Sequence, residues 1–275
     1  MLEFGGSSFA DSQEYLPPHL AVKIKRRKGV FDLDVNFTLT RNWTVLFGPS
    51  GSGKTTILRA IAGLGEPEMT RIEYIPKSIA SHETMSESPT LFEDAAVGLF
   101  LPTHLRKVPL APQGGRLFPH LSVTQNILYG TRGVRDRVED GERDDYVAEM
   151  LARFRISHLA HKMPAALSGG EAQRVNLTRA VAASRKRWLL LDEPFTGLDV
   201  PLRDELIAEL RSWQSACKTP ILSVTHDVAE AFQLGAEVIK LAEGRVVDQG
   251  PVERVLAEER ARLLAQLNGA AGSPA

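Results

Sequence analysis

One cysteine, Cys217, is all that this 275-residue chain contains. An intrachain disulfide and a cysteine-built metal cluster are therefore excluded. Cys217 itself reads as an inert residue at a helix end. No stretch reaches the ~18 consecutive apolar residues that a membrane-spanning helix requires. The strongest runs, such as Trp188 to Leu191, are only strand-length. Met1 to Leu20 lacks the basic start and apolar block of a secretory signal. Charge of one sign is missing too: 33 Lys and Arg stand against 34 Asp and Glu, a formal net charge of −1. That balance gives no bulk attraction to nucleic acid, and none is expected as a partner. The basic cluster Lys23 to Lys28 reads as a solvated strand end and turn. With 43 % apolar and 24 % charged residues, the composition is that of a globular protein, not a disordered one.

Residues 1–18 are polar and end at Pro17-Pro18, which reads as a tail. Leu20, Val22 and Ile24 alternate with polar neighbours, as do Leu33, Val35, Phe37 and Leu39. With Lys28-Gly29 between them, the two runs predict an antiparallel strand pair. Trp43 to Phe47 is a continuous apolar strand, followed by a Gly-rich turn and a helix with Ile57, Ile61 and Leu64 on one face. Strand, glycine loop, helix is half of a parallel α/β unit. The polar stretch 66–88 reads as loop, with a short strand at Arg71 to Ile75. Helices are expected at Phe118 to Tyr129, Asp144 to Phe154, from Glu171, along the stripe Leu202, Leu206, Leu210 and Trp213, and at Asp227 to Leu234. Further strands are expected at Trp188 to Leu191 and Ile221 to Thr225, and a hairpin around Glu243-Gly244. A single last helix is expected from Pro251 to about Leu267, with a small-residue tail beyond it.

Three segments carry chemistry. Gly48, Pro49, Ser50, Gly51, Ser52, Gly53, Lys54 and Thr55 fit the phosphate-loop pattern G-x-x-x-x-G-K-[ST], with Thr56 next. Glycines let the backbone curl so that successive N–H groups face one anion. The helix start adds its positive dipole end. Lys54 supplies a charge for the β- and γ-phosphates, and Thr55 a hydroxyl for Mg²⁺. Leu189 to Leu191 ends in Asp192 and Glu193. Asp192 would hold Mg²⁺ through water, and Glu193 would deprotonate an attacking water. Leu167-Ser168-Gly169-Gly170-Glu171-x-Gln173-Arg174 places a second anion site at another helix start. One ATP does not need two such sites from one subunit, so this segment is expected to cap the ATP of a partner. The plainer alternative is that Ser168 only caps its own helix.

These segments in this order, with Gln113, Leu198-Asp199 and His226, resemble the ATP-binding subunit of ABC transporters over roughly residues 20–255. The resemblance implies an α/β P-loop NTPase fold: a RecA-like core with an antiparallel β subdomain and an inserted helical subdomain at about 113–175, the whole domain spanning 19–250. It implies a head-to-tail homodimer enclosing ATP and Mg²⁺. ATP would be held by residues 48–56 of one chain and by Ser168, Gly169, Gly170 and Gln173 of the other. By the same carry-over, Glu193, His226 and Gln113 are catalytic. Thr55, Gln113 and Asp192 attend the metal, and Asp199 communicates across the dimer. Gln113 also links to integral membrane permease subunits, which receive substrate from a periplasmic or extracellular oxyanion-binding protein. The chain would sit on the cytoplasmic face of the membrane.

Gly98-Leu99-Phe100-Leu101-Pro102, Leu117 to Val123 and Leu198-Asp199-Val200-Pro201 resemble importers of molybdate or tungstate. The Leu-Phe-Pro-His run is shared with importers of sulfate, polyamines and sugars, which stay open as the alternative. Gly114-Gly115 departs from the family, where an acidic residue follows the glutamine. No clear aromatic for the adenine stands out, and Phe31, the candidate, alternates like a core residue. A non-transport ABC ATPase would carry long coiled coil between Lys54 and Leu167, and no heptads occur there. The family's translation factors carry two cassettes, whereas this chain shows one. A small-molecule kinase would not need 167–174. The segment 251–275 is expected to supply a helix and tail, with no regulatory β domain and no oxyanion site.

Overall fold

The computed structural model describes residues 19–28, 31–65, 69–75, 90–114, 116–131, 140–184, 188–235 and 237–270. The expected tail at 1–18 and much of the polar stretch 66–88 lie outside the described residues.

β1 (His19–Lys28) and β2 (Phe31–Leu39) pair antiparallel, with Leu20 opposite Leu39, Val22 opposite Phe37 and Ile24 opposite Val35. Their period-two alternation puts these apolar residues on one buried face. β3 (Trp43–Phe47) is buried at all five positions and feeds α1 (Lys54–Ile61) through the glycine loop. β4 (Met69–Ile75), β5 (Thr90–Asp94) and β6 (Leu99–Phe100) extend the first sheet in the order β2-β1-β4-β5-β6. The short helix α2 (Thr103–Arg106) leads to β7 (Leu110–Ala111). Three helices follow: α3 (Val123–Thr131), α4 (Asp140–Arg153) and α5 (Gly169–Ser184). The rest of the chain is β8 (Leu189–Asp192), α6 (Val200–Cys217), β9 (Ile221–Thr225), α7 (Val228–Leu234), β10 (Glu237–Ala242), β11 (Arg245–Gly250), α8 (Val252–Val255) and α9 (Ala257–Ala270).

The second sheet runs β11-β10-β3-β9-β8-β7, parallel from β10 to β7 with β11 antiparallel at its edge. A parallel sheet is covered on both faces, so its strands read as continuous apolar runs. Alternate residues serve two cores. Trp43, Val45, Leu189, Leu191 and Ile221 join the helices α3 to α8. Leu46, Leu190, Leu222, Val224 and Ile239 join α1 and the first sheet.

Several elements differ from the sequence expectation, α4 among them, which begins at Asp140, ahead of the expected Asp144. The helix expected from Phe118 begins at Val123. There Ser122 caps it: Gln125 N donates to Ser122 Oγ and Ser122 N to Gln125 Oε1, a reciprocal box. The helix expected from Glu171 starts at Gly169. The single last helix is two, α8 and α9, because Leu256 leaves helical geometry and is fully buried in the core. Residues 90–111 form β5, β6, α2 and β7, which the sequence pattern did not reveal. Arg106 explains their order. Its buried guanidinium donates to Ala60 O at 2.7 Å, Ile61 O at 3.2 Å and Leu101 O at 2.7 Å, and pairs with buried Glu93 at 2.8 Å. A cation at the carboxyl end of α1 satisfies carbonyls that the helix leaves open.

Candidate nucleotide site

Four neighbouring parallel strands, β3, β9, β8 and β7, each deliver one motif at their carboxyl ends: the phosphate loop, His226, Asp192-Glu193 and Gln113. In open α/β sheets this edge is where ligands bind.

At Gly53 the loop reaches φ 101°, and a Cβ there would meet Leu33 Cδ1 at 2.8 Å, so only glycine fits. At Gly48 a Cβ would lie 2.4 Å from the Leu241 carbonyl oxygen, which holds the loop against β10. No side chain caps α1 and its first turn carries no acid. Its leading N–H groups and positive dipole end therefore face outward. The Ser52 hydroxyl is buried without a hydrogen-bond partner. An open helix start and an orphaned donor both suit a phosphate chain. Buried Lys54 donates from Nζ to the carbonyls of Gly48 and Pro49, 2.8 Å each. Burial lowers its pKa, while Glu193 and Asp192 act against that shift. Thr56 lies beside Thr55 on a cavity of about 420 Å³, with Arg26, Leu33 and Arg59. Half-buried Phe31 lines the same cavity, so its ring borders the phosphate-loop helix and is not in the core interior.

Thr55 Oγ1 donates to Asp192 Oδ1 at 3.1 Å. Burial raises the Asp192 pKa, and the Thr55 hydrogen bond partly offsets it. A desolvated carboxylate beside a hydroxyl is a hard-oxygen pair that fits Mg²⁺. Thr55, Asp192 and the Gln113 amide oxygen would hold that ion.

Glu193 is the centre of the site. Its Oε2 accepts from Gln113 Nε2 at 2.8 Å and from Thr196 Oγ1 at 3.2 Å, and its Oε1 lies 3.1 Å from His226 Nδ1. Its backbone is left-handed, φ 46°, a conformation that costs a non-glycine residue on the order of 1–3 kcal/mol. Buried Gln173 supports that turn, donating to Glu193 O at 3.2 Å and Pro194 O at 3.3 Å. Asn176 donates to Pro112 O at 2.8 Å and so holds the strand end that carries Gln113. Thr196 and Asn176 escaped the sequence reading. A threonine in a turn and an asparagine inside a helix give no signal until the sheet brings them to Glu193 and Gln113.

Ser168 caps α5 in a second reciprocal box, with Glu171 N to Ser168 Oγ at 3.2 Å and Ser168 N to Glu171 Oε2 at 2.7 Å. That backbone bond is the main reason the Glu171 pKa is lowered. Ser168 and Gly169 are exposed, and a Cβ on Gly169 would meet nothing within 4 Å. Gly170 abuts Gly197 O and Leu198. Gln173 points the other way, into its own chain. Asp199 is exposed and caps α6, accepting from Leu202 N at 3.0 Å.

A family model described as ABC transporter matches residues 33–196. The chain is 39 % identical over 236 residues to the molybdate/tungstate import ATP-binding protein WtpC of Archaeoglobus fulgidus, covering 86 % of this chain and 88 % of that one. It is 38 % identical to the molybdenum import ATP-binding protein ModC of Rhizobium johnstonii, but spans only 62 % of that protein's length. Among solved structures, the cassette cbiO1 from Clostridium perfringens shares 25 % identity at a TM-score of 0.66, covering 90 % of this chain and 94 % of that one. The MJ0796 cassette shares the fold at a TM-score of 0.68 and 24 % identity, with 85 % of this chain and 98 % of that one covered. Motif order, sheet-edge geometry and these matches agree: the chain belongs to the ABC transporter family, as one of its ATP-binding subunits.

Proposed function

We propose that this chain is the ATP-hydrolysing motor of an importer for molybdate or tungstate, working as a homodimer against integral membrane permease subunits. The observation that carries the hydrolytic reading is the convergence of Gln113, Thr196 and His226 on one carboxylate, Glu193. The triphosphate lies along residues 48–56, where loop and helix N–H groups and Lys54 neutralise its charge. Phe31 borders the cavity that would take the base. Mg²⁺, when bound, stabilises charge on the β- and γ-phosphates. Glu193 accepts the proton of the attacking water, and Gln113 and His226 hold that carboxylate in place.

The exposed start of α5 is the second half of the site, offered to the ATP of a second copy. Ser168 keeps its capping role, while the neighbouring N–H groups face the γ-phosphate across the interface, and Asp199 sits at the same surface. Closure and reopening with ATP is a two-state element biased by those contacts. An exposed groove of about 410 Å³ lined by Phe118, His120, Leu121 and Tyr129 gives the permease an aromatic docking surface. Among the described residues no helix is long and apolar enough to cross a membrane. In this reading the permease holds the chain on the cytoplasmic face, as the relatives' role in import suggests. The oxyanion itself is assigned on the relatives named for molybdate, tungstate and molybdenum import.

Complementation tests the shared site. Lys54→Ala removes the charge on the phosphate loop. Gly169→Glu places a carboxylate where the partner's phosphate would lie, at a position with room for a side chain. Each homodimer should be inactive, and mixing them should restore ATPase activity. In a mixed dimer one site joins an intact loop to an intact α5 start. No recovery on mixing refutes the shared site. In vesicles carrying the permease, a molybdate-loaded binding protein should stimulate hydrolysis and a sulfate-loaded one should not. The reverse result transfers the assignment to sulfate.

A further inference from the structure

The ring of His226 has little packing to aim it. Its side chain is 56 % exposed, yet Nδ1 lies 3.1 Å from Glu193 Oε1. Its direction comes from the backbone corner on which it stands, between β9, which ends at Thr225, and α7, which begins at Val228. Asp227 builds that corner. Its Oδ1 caps α7 by accepting from Glu230 N at 3.0 Å, and its own N donates to Thr225 Oγ1 at 3.0 Å. Those bonds shape the corner from within. The tie to a neighbouring element is ionic: Arg203 Nη1, in the first turn of α6, donates to Asp227 Oδ2 at 3.2 Å.

Arg203 belongs to the segment that begins at Glu193. That segment turns, is capped by Asp199 and enters α6, where Arg203 N donates to Asp199 O at 2.9 Å. Residues 193–203 and 224–228 are therefore joined three times. Glu193 N donates to Val224 O at 3.1 Å, the Glu193 carboxylate meets His226, and Arg203 meets Asp227. The His226 contact stands between the other two. Arg203 Nε also donates to Asp204 Oδ1 at 3.4 Å. Farther along α7, Gln233 Nε2 donates to Asp204 Oδ1 at 3.2 Å, and Arg211 Nη1 donates to Gln233 O. Those bonds hold the bodies of the two helices together independently of Arg203.

We propose that Arg203 is a positioning residue for His226. By holding Asp227, it fixes the start of α7 against the Glu193 turn and keeps the imidazole within hydrogen-bond distance of the base. Without it Asp227 still caps α7, but the corner is free to move off the Glu193 turn, and the exposed ring moves with it. The pair is a single N–H to one carboxylate oxygen. A lysine ammonium makes such a bond too, because nothing here requires the guanidinium fork. The Asp227 side chain is 41 % exposed, so the pair adds little to global stability.

The inference rests on hydrolysis at Glu193, and one readout is independent of it. In the full chain with isotope-labelled histidine, the His226 Nδ1 signal in NMR is identified by its loss in His226→Ala. That signal should move in Arg203→Met and return in Arg203→Lys. In steady-state ATP hydrolysis, Arg203→Met should lower kcat about ten- to a hundredfold, the cost of a displaced group. KM for MgATP and the urea midpoint should not change, and Arg203→Lys should recover most of kcat. In His226→Ala, with phosphate release followed over hours, adding Arg203→Met should cost nothing more, because both act through one side chain. The inference is overturned if the His226 signal stays put, if the loss falls on KM, if Arg203→Lys recovers nothing, or if the loss repeats in full on His226→Ala. A wild type that hydrolyses no ATP while its His226 signal responds as expected would instead overturn the functional reading.

Discussion

Glu193→Gln separates chemistry from architecture at this site. The carboxylate holds Gln113 and Thr196 on one oxygen and His226 on the other. In the amide, the remaining oxygen keeps Gln113 and Thr196, and the new NH₂ faces His226 Nδ1, which can accept when neutral. Posture is preserved to within about one hydrogen bond, roughly 1 kcal/mol. Basicity is lost altogether, and a positioned base contributes about 10²–10⁴-fold. That range corresponds to about 3–5 kcal/mol of barrier, far more than the geometric loss. The expectation is a fall of that size in kcat for phosphate release. ATP affinity should be unchanged, because Lys54 and the phosphate loop are untouched. The variant should also accumulate as a dimer with uncleaved ATP, seen by size-exclusion chromatography with light scattering. A kcat within threefold of wild type would refute Glu193 as the base. A loss matched by weakened ATP binding would show that the site had collapsed.

Two further outcomes concern stability. Arg106→Met strands buried Glu93 without its 2.8 Å partner and removes the donors to Ala60 O and Ile61 O. Breaking a buried pair on one side costs about 3–5 kcal/mol, and adding Glu93→Gln should recover most of it. Urea unfolding checks this, and a loss below about 1 kcal/mol would show the pair to be dispensable. Glu230, raised to about 7 from an ordinary 4.5, binds its proton more tightly in the folded chain. Its contribution to stability is fully present below about 4.5 and is lost as pH rises through about 7, on the order of 3 kcal/mol in all. Glu230→Gln should therefore gain stability relative to wild type between pH 5 and pH 8. A gap that narrows over that interval would contradict the sign.

Local pattern alone sufficed for the elements whose burial is periodic. β1 and β2 alternate, and β3, β8 and β9 are buried on both faces, so their residues are apolar whatever the partner strand. The phosphate loop was legible for a related reason: a backbone that must reach φ 101° at Gly53 and touch Leu241 O at Gly48 admits few residues, and the spacing records it. Residues 90–111 were not legible, because β6 and β7 are two residues each and Arg106 is buried only by virtue of Glu93 and the end of α1. A charged residue looks solvated in sequence until a distant partner neutralises it. Ser168 and Gln173 stand five residues apart in one motif, yet α5 turns one to the surface and buries the other under Glu193. The sequence pattern itself offered Glu193, at the end of an apolar strand, whereas it named Gln113 and His226 only through resemblance. The order of strands β3, β9, β8 and β7, which long-range pairing decides and no local pattern encodes, is what brings Gln113 and His226 to the Glu193 carboxylate.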